Sequence, residues 1–195
     1  LLGDAERLDK CARHHRDWVS VNEGGMFADS ADRWTTLAHL ANERWEDLVG
    51  MTQLGAGGSP TGLAANAARA IALVHVGEDH EARTLVRSLL DRDLEQHPDV
   101  LTLVATVELL LDGLSEKIQE RIEAAIDRTG LMGYQSHLAA LRARNARRAD
   151  DEQTCERERT RAVEMWNAIG AHGQIERLAK PVSYTHLRAH ETADN

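Results

Sequence analysis

The chain has 195 residues, 42% of them hydrophobic, with only three Pro and seven aromatic residues. That length suffices for one domain or a short solenoid with a real core, and the Ala, Leu, Glu and Arg content favours helices over a β-sandwich or barrel. A net charge of −9 argues against direct nucleic-acid contact and against anionic membrane surfaces.

The chain begins at Leu1 without a Met, and Leu1-Leu2-Gly3-Asp4 reads as a turn inside a longer helical protein. An N-terminal helix is expected from about Asp4 to Arg16, and residues 1–30 are read as this helix and its connecting loop. Cys11, His14 and His15 are zinc-ligand types, but only Cys11 and His14 share a face and no further ligands are nominated. No metal site and no cofactor is therefore assigned. Two distant cysteines, Cys11 and Cys155, suit a reducing compartment, and no apolar run approaches the ~20 residues that span a bilayer. The expectation is a cytoplasmic protein without a membrane segment.

From residue 31 a repeat emerges. Ala-rich apolar segments start near Ala31, Leu63, Asp99 and Tyr134, each followed after a polar break by an amphipathic segment, at about the tetratricopeptide period of 34 residues. The breaks are Asn42-Glu43-Arg44, Gly77-Glu78-Asp79, Asp112-Gly113 and Arg148-Ala149-Asp150. Such residues end one helix and begin the next. Glu46, Glu81, Glu116 and Asp151 recur every 35 residues at the start of the second segment, where negative charge suits the helix dipole. The second segments carry half-buried stripes: Ala82, Leu85, Val86 and Leu89; Ile118, Ile122, Ala125 and Ile126; and Ala162, Val163, Trp166 and Ile169. Pro60 and Pro98 sit where a new helix starts. The fold expected is all-α, with about four antiparallel helical hairpins over residues 31–181, stacked as a tetratricopeptide-like right-handed solenoid because each hairpin alone would leave an apolar face wet.

Catalytic patterns are missing. Gly55-Ala-Gly-Gly-Ser-Pro-Thr-Gly62 has no Lys and so fails as a phosphate loop; it reads as a connection between repeats. No Ser lies in a nucleophile elbow. The charged run Glu156, Arg157, Glu158, Arg159, Arg161 and the cluster Arg142, Arg144, Arg147, Arg148 both read as solvated helix faces. His39, His75, His80, His97, His137 and His172 are scattered among elements and read as surface or packing residues. Trp34, Trp45 and Trp166 fall at packing positions, while Trp18 suits either core or contact surface.

Polar residues on otherwise apolar first helices are the candidate binding residues. Asn66 and Arg69 share a face at i, i+3, and Thr102 and Thr106 share one at i, i+4. The plainer reading of the two threonines is hydrogen bonding within their own helix.

Leu2-Gly3-Asp4-Ala5, the stretch from Trp18-Val19 to Gly24-Gly25, Leu37-Ala38-x-Leu40-x4-Trp45-Glu46-x-Leu48, Ala68-Arg69-Ala70 and Gly77-Glu78-x2-Glu81-Ala82-Arg83 together resemble the repeat region of large bacterial signalling ATPases, as does Met165–Leu178 more weakly. That family includes transcriptional activators of the maltose-regulator type and multidomain adenylate cyclases. The resemblance implies a protein-interaction or sensing scaffold whose partner is a protein, a peptide or another domain of the parent chain. It equally implies a regulatory arm for an ATPase, a cyclase or a helix-turn-helix activator encoded beyond this stretch. No catalytic residue of that family falls within the chain. Finally, Val182-Ser-Tyr-Thr-His-Leu-Arg-Ala-His-Glu-Thr192 resembles a reading-frame translation of a sequencing-library transposon adapter, so residues 182–195 are expected to be a non-native tail.

Overall fold

A computed structural model describes residues 5–21, 25–51 and 60–179, and these form ten α-helices with no strand among the described residues. Leu1–Asp4, the glycine-rich stretch 55–59 and the adapter-like tail 182–195 lie outside the described residues. The helices are α1 (Ala5–Val21), α2 (Gly25–Ala41), α3 (Trp45–Gly50), α4 (Pro60–His75), α5 (Asp79–Leu90), α6 (Pro98–Leu111), α7 (Glu116–Thr129), α8 (Tyr134–Arg148), α9 (Glu152–Ala168) and α10 (His172–Ala179). The N-terminal helix continues to Val21 rather than ending near Arg16. Residues 172–179, anticipated as the end of the last hairpin, form a separate helix, because Gly170 turns the chain at φ 69° and lets the Ala171 amide donate to Trp166 O.

Each polar break becomes a turn containing one residue in the left-handed region: Glu43 (φ 56°), Gly77 (φ 87°), Gly113 (φ 104°) and Asp150 (φ 55°). In three of the turns the next amide reaches back five residues, Arg44 to His39 O, Glu78 to Leu73 O and Asp151 to Ala146 O, which satisfies carbonyls that a helix end leaves open. In the turn at Gly113 the five-residue bond comes one residue earlier, from the Gly113 amide to Glu108 O. There the Leu114 amide donates across to the Asn145 side-chain oxygen on α8, 2.9 Å away. Two of the second helices carry side-chain N-caps, Ser115 accepting from the Ile118 amide and Asp151 from the Thr154 amide. Glu46, Glu81 and Glu116 sit in the first turns of α3, α5 and α7, whereas Asp151 is itself the cap.

Consecutive helices pack in pairs, α2 with α3, α4 with α5, α6 with α7 and α8 with α9, but α2 packs more extensively on α1, and α3 on α4, than the two do on each other. The first members also touch in series, α2 to α4, α4 to α6 and α6 to α8. One continuous core runs from Leu63 to Leu141, and α6 lies in its middle with Val100, Leu101, Val104, Ala105 and Val107 fully buried. Burying each of the larger of these side chains contributes about 1.5–3 kcal/mol. Smaller clusters join α1 to α2 around Leu8 and Ala38, and α8 to α9 around Ala139 and Trp166.

Arginines tie distant hairpins by capping helix C-termini. Arg148 of α8 donates to the Leu109 and Leu111 carbonyls of α6, Arg121 of α7 to those of Leu90 and Arg92, and Arg177 of α10 to Ala41 O at the end of α2. These carbonyls lack intrahelical partners and carry the negative end of the helix dipole, so a guanidinium suits them. The arginine cluster of α8 is accordingly only partly a solvated face, since Arg142 also bonds Gln119 and Glu123 on α7. No described helix is long and apolar enough to cross a membrane.

Candidate binding cleft

Thr102 and Thr106 lie one turn apart on α6, and their hydroxyls donate to Pro98 O at 2.6 Å and Thr102 O at 2.9 Å. They bond within their own helix, yet the same side chains line a cleft of about 80 Å³. The facing wall is α8, whose His137, Ala140, Leu141 and Arg144 follow the i, i+3, i+4, i+7 spacing of one helix face. Trp166 of α9 and Gln174 of α10 complete it.

Trp166 is 3% exposed, and its indole Nε1 has no hydrogen-bond partner. The ring meets His137 edge to face, with centroids 5.6 Å apart, and Tyr134 lies 5.9 Å beyond His137. Burial pushes the His137 pKa below its ordinary value, and the neighbouring Arg144 guanidinium pushes in the same direction. The imidazole is therefore neutral at neutral pH, with one nitrogen a donor. Tyr134 is shifted upward by burial first and by Asp99 second, which keeps its phenol protonated.

Asn66 and Arg69 lie elsewhere, on α4. Arg69 pairs with Glu81 of α5, within its own hairpin, and its Nε is buried without a partner; Asn66 is half-buried. Thr102 and Thr106 thus share a cleft with each other and not with Asn66 or Arg69. The residues that sequence reasoning did not select, His137, Arg144, Trp166 and Gln174, supply its donors. Only the α8 spacing signalled them in advance, and nothing in the sequence placed it opposite α6.

A larger open cleft of about 700 Å³ adjoins it, between α8, the first half of α9 and the end of α10. Arg144 lines both. Arg147, Asp150, Glu152, Glu156 and Arg159 give the larger cleft mixed charge, and Arg159 and Glu156 pair at 3.1 Å. Cys155 also lines it.

Elsewhere, Trp45 stacks on His75 with ring centroids 4.0 Å apart, and Trp18 is 44% exposed. Among the described residues, no three His, Cys, Asp or Glu side chains converge in a metal-binding arrangement. The charged run on α9 has one exception to its solvated character: Glu158 is buried at 7% exposure, with Arg157 at 3.2 Å from one oxygen and the other oxygen lacking a hydrogen bond. No protein-family model, curated protein or solved structure matches the chain.

Proposed function

We propose that the chain is a non-catalytic protein-interaction or sensing scaffold, a cytoplasmic part of a larger bacterial signalling protein, built as a tetratricopeptide-like right-handed solenoid. The observation that carries this reading is the placement of the small cleft, whose walls α6 and α8 are the first helices of successive hairpins in serial contact. A solenoid presents such helices side by side as an extended receiving surface. The lining offers hydrogen-bond donors, a guanidinium and an aromatic edge, and it contains no carboxylate or thiol. That inventory fits recognition of a protein, a peptide or another domain of the parent chain.

The test is a peptide-array screen of the protein beside its Thr106→Arg variant, with helicity followed by circular dichroism. Thr106 is half-exposed at the cleft wall, so a long charged side chain there blocks the cleft while leaving the core intact. Peptides bound by the parent and lost by the variant, at equal helicity, support the scaffold reading. Equal binding by both removes the cleft from the interaction surface.

A second reading, the regulatory arm acting on an ATPase, a cyclase or a helix-turn-helix activator, is favoured by the Arg177 bond to Ala41 O, which spans 136 residues and joins α10 to α2. Occupancy beside α10 would be felt at α2 through that bond. Arg177→Ala should then change the response of such a linked module while leaving the affinity for the peptide unchanged.

A further inference from the structure

We propose that the cleft between α6, α8, α9 and α10 is a carboxamide-binding subsite, which takes the side chain of an Asn or Gln from a protein segment lying along the first helices. This rests on the scaffold reading and adds the chemistry of the partner. On the α9 side the cleft carries a donor with nothing to donate to: the Trp166 indole is 3% exposed, and its Nε1 has no hydrogen-bond partner. Buried donors are costly when unsatisfied, so one lining a cleft marks a place that an acceptor completes. The cleft volume, about 80 Å³, exceeds the roughly 15 Å³ that one water needs and admits a planar amide head.

The α6 side has the opposite polarity. Thr102 and Thr106 donate their hydroxyl protons to Pro98 O and Thr102 O, so each Oγ1 keeps only acceptor lone pairs for the cleft. His137 adds one donor and one acceptor nitrogen, and the Gln174 carboxamide adds both kinds of group. Arg144 also lines the cleft, but it already has an interaction partner and no bond to it is required. A carboxylate would satisfy the indole and set its charge against the threonine lone pairs. An ammonium would satisfy the threonines and leave the indole open. A primary carboxamide does both, its oxygen accepting from Trp166 and its two N–H protons matching the two threonine oxygens, where a backbone amide has only one proton to offer.

The experiment is an acetamide titration of the whole chain, followed on the Trp166 indole N–H cross-peak in a ¹H–¹⁵N spectrum. Trp166→Phe assigns the peak, and through-space contacts of the indole proton to its cluster neighbours Ala139 and Ala140 assign it in the parent. Acetate, which only accepts, and methylammonium, which only donates, are the controls, with sodium chloride holding the ionic strength. A saturable downfield shift with acetamide, at least fivefold tighter than with acetate and absent with methylammonium, supports the subsite. The apparent affinity should fall at least threefold in Thr106→Val, which keeps the side-chain shape and removes an acceptor, and in Gln174→Leu, and stay within twofold in Arg147→Gln, which lines only the neighbouring cleft. An acetamide response absent, matched by acetate, or unchanged in both Thr106→Val and Gln174→Leu overturns the subsite, as does a water that stays in contact with the indole proton at saturating acetamide. Failure of the scaffold reading shows separately, as an acetamide-competent protein whose peptide binding is indifferent to Thr106→Arg.

Discussion

Helices α7 and α9 occupy the same place in successive hairpins and close it with different chemistry. Their caps, Ser115 and Asp151, stand 36 residues apart, and at that offset Ile118 corresponds to Thr154, Ile122 to Glu158 and Ile126 to Ala162. In α7 the inner stripe is Ile118, Ile122, Ala125 and Ile126, all at 2% exposure or less. In α9 the buried set is Glu158, Ala162 and Trp166, which moves the apolar weight one turn toward the C-terminus. Helix α8 accommodates this with four buried alanines, Ala139, Ala140, Ala143 and Ala146, which let a helix carrying a large indole approach closely. A repeat can therefore keep its caps and register while exchanging apolar closure for a polar cleft. The cleft and the buried carboxylate both belong to the hairpin that made the exchange.

The largest expected effect falls on the apolar version. Ile122→Ala removes a fully buried side chain and should cost about 2–4 kcal/mol in urea denaturation; a loss below 1 kcal/mol would mean that α7 is no better anchored than α9. Next come the turns that lead into the two helices. Gly113→Ala places a Cβ 3.3 Å from the Asn145 oxygen at a φ of 104°, so about 1–2 kcal/mol should be lost, with weakened hydrogen-exchange protection at the Leu114 amide. Undiminished protection would separate that bond from the turn.

Restoring the apolar stripe to α9 should work in the opposite direction. Glu158→Leu replaces a buried carboxylate having one oxygen without a hydrogen bond, and we expect a gain of about 1 kcal/mol, read as a higher urea midpoint at constant slope. A clear loss would show that Arg157 and Arg161 hold α9 through that carboxylate.

Acidification should weaken the His137 side of the comparison. Its pKa is lowered in the fold by burial and by Arg144, so its contribution is complete above the unfolded value near 6.5 and is lost as pH falls through the lower folded value. The slope of stability against pH below 6.5 should shrink in His137→Gln, and an unchanged slope would assign the acid sensitivity to other groups, His39 among them. The smallest effect is expected at Asp150, a non-glycine residue at φ 55° in the turn before α9. Asp150→Gly should stabilise by about 0.5–1 kcal/mol, measured by thermal unfolding.

Local chemistry made much of the architecture legible. The polar breaks at 42–44, 77–79, 112–113 and 148–150 all mark turns, because helix termination is decided by residues within a few positions of the end. The stripe of Ile118, Ile122, Ala125 and Ile126 is buried as its spacing implies. The stripe assigned to α9 was less reliable. Ala162 and Trp166 are buried, but Val163 is half-exposed, Ile169 is 65% exposed and Glu158 takes a buried position inside what looked like a charged face. Periodicity identifies an amphipathic helix, while the neighbour's surface decides which arc it covers. Of the candidate binding residues, Thr102 and Thr106 were found by their polarity on an apolar helix; Trp166 and Arg144 were assigned other roles because their meeting depends on how α6, α8 and α9 pack.

What the sequence determined by itself is a chain of helices with hairpin turns at regular intervals, since propensity, capping and left-handed turn residues act over one or two helical turns. The tertiary structure alone decided that Arg177 caps α2 across 136 residues, that Glu158 stands where Ile122 stands one hairpin earlier, and that a buried indole and a guanidinium line one cleft. Those outcomes depend on side-chain volume and on the approach of helices remote in sequence, which no local pattern encodes.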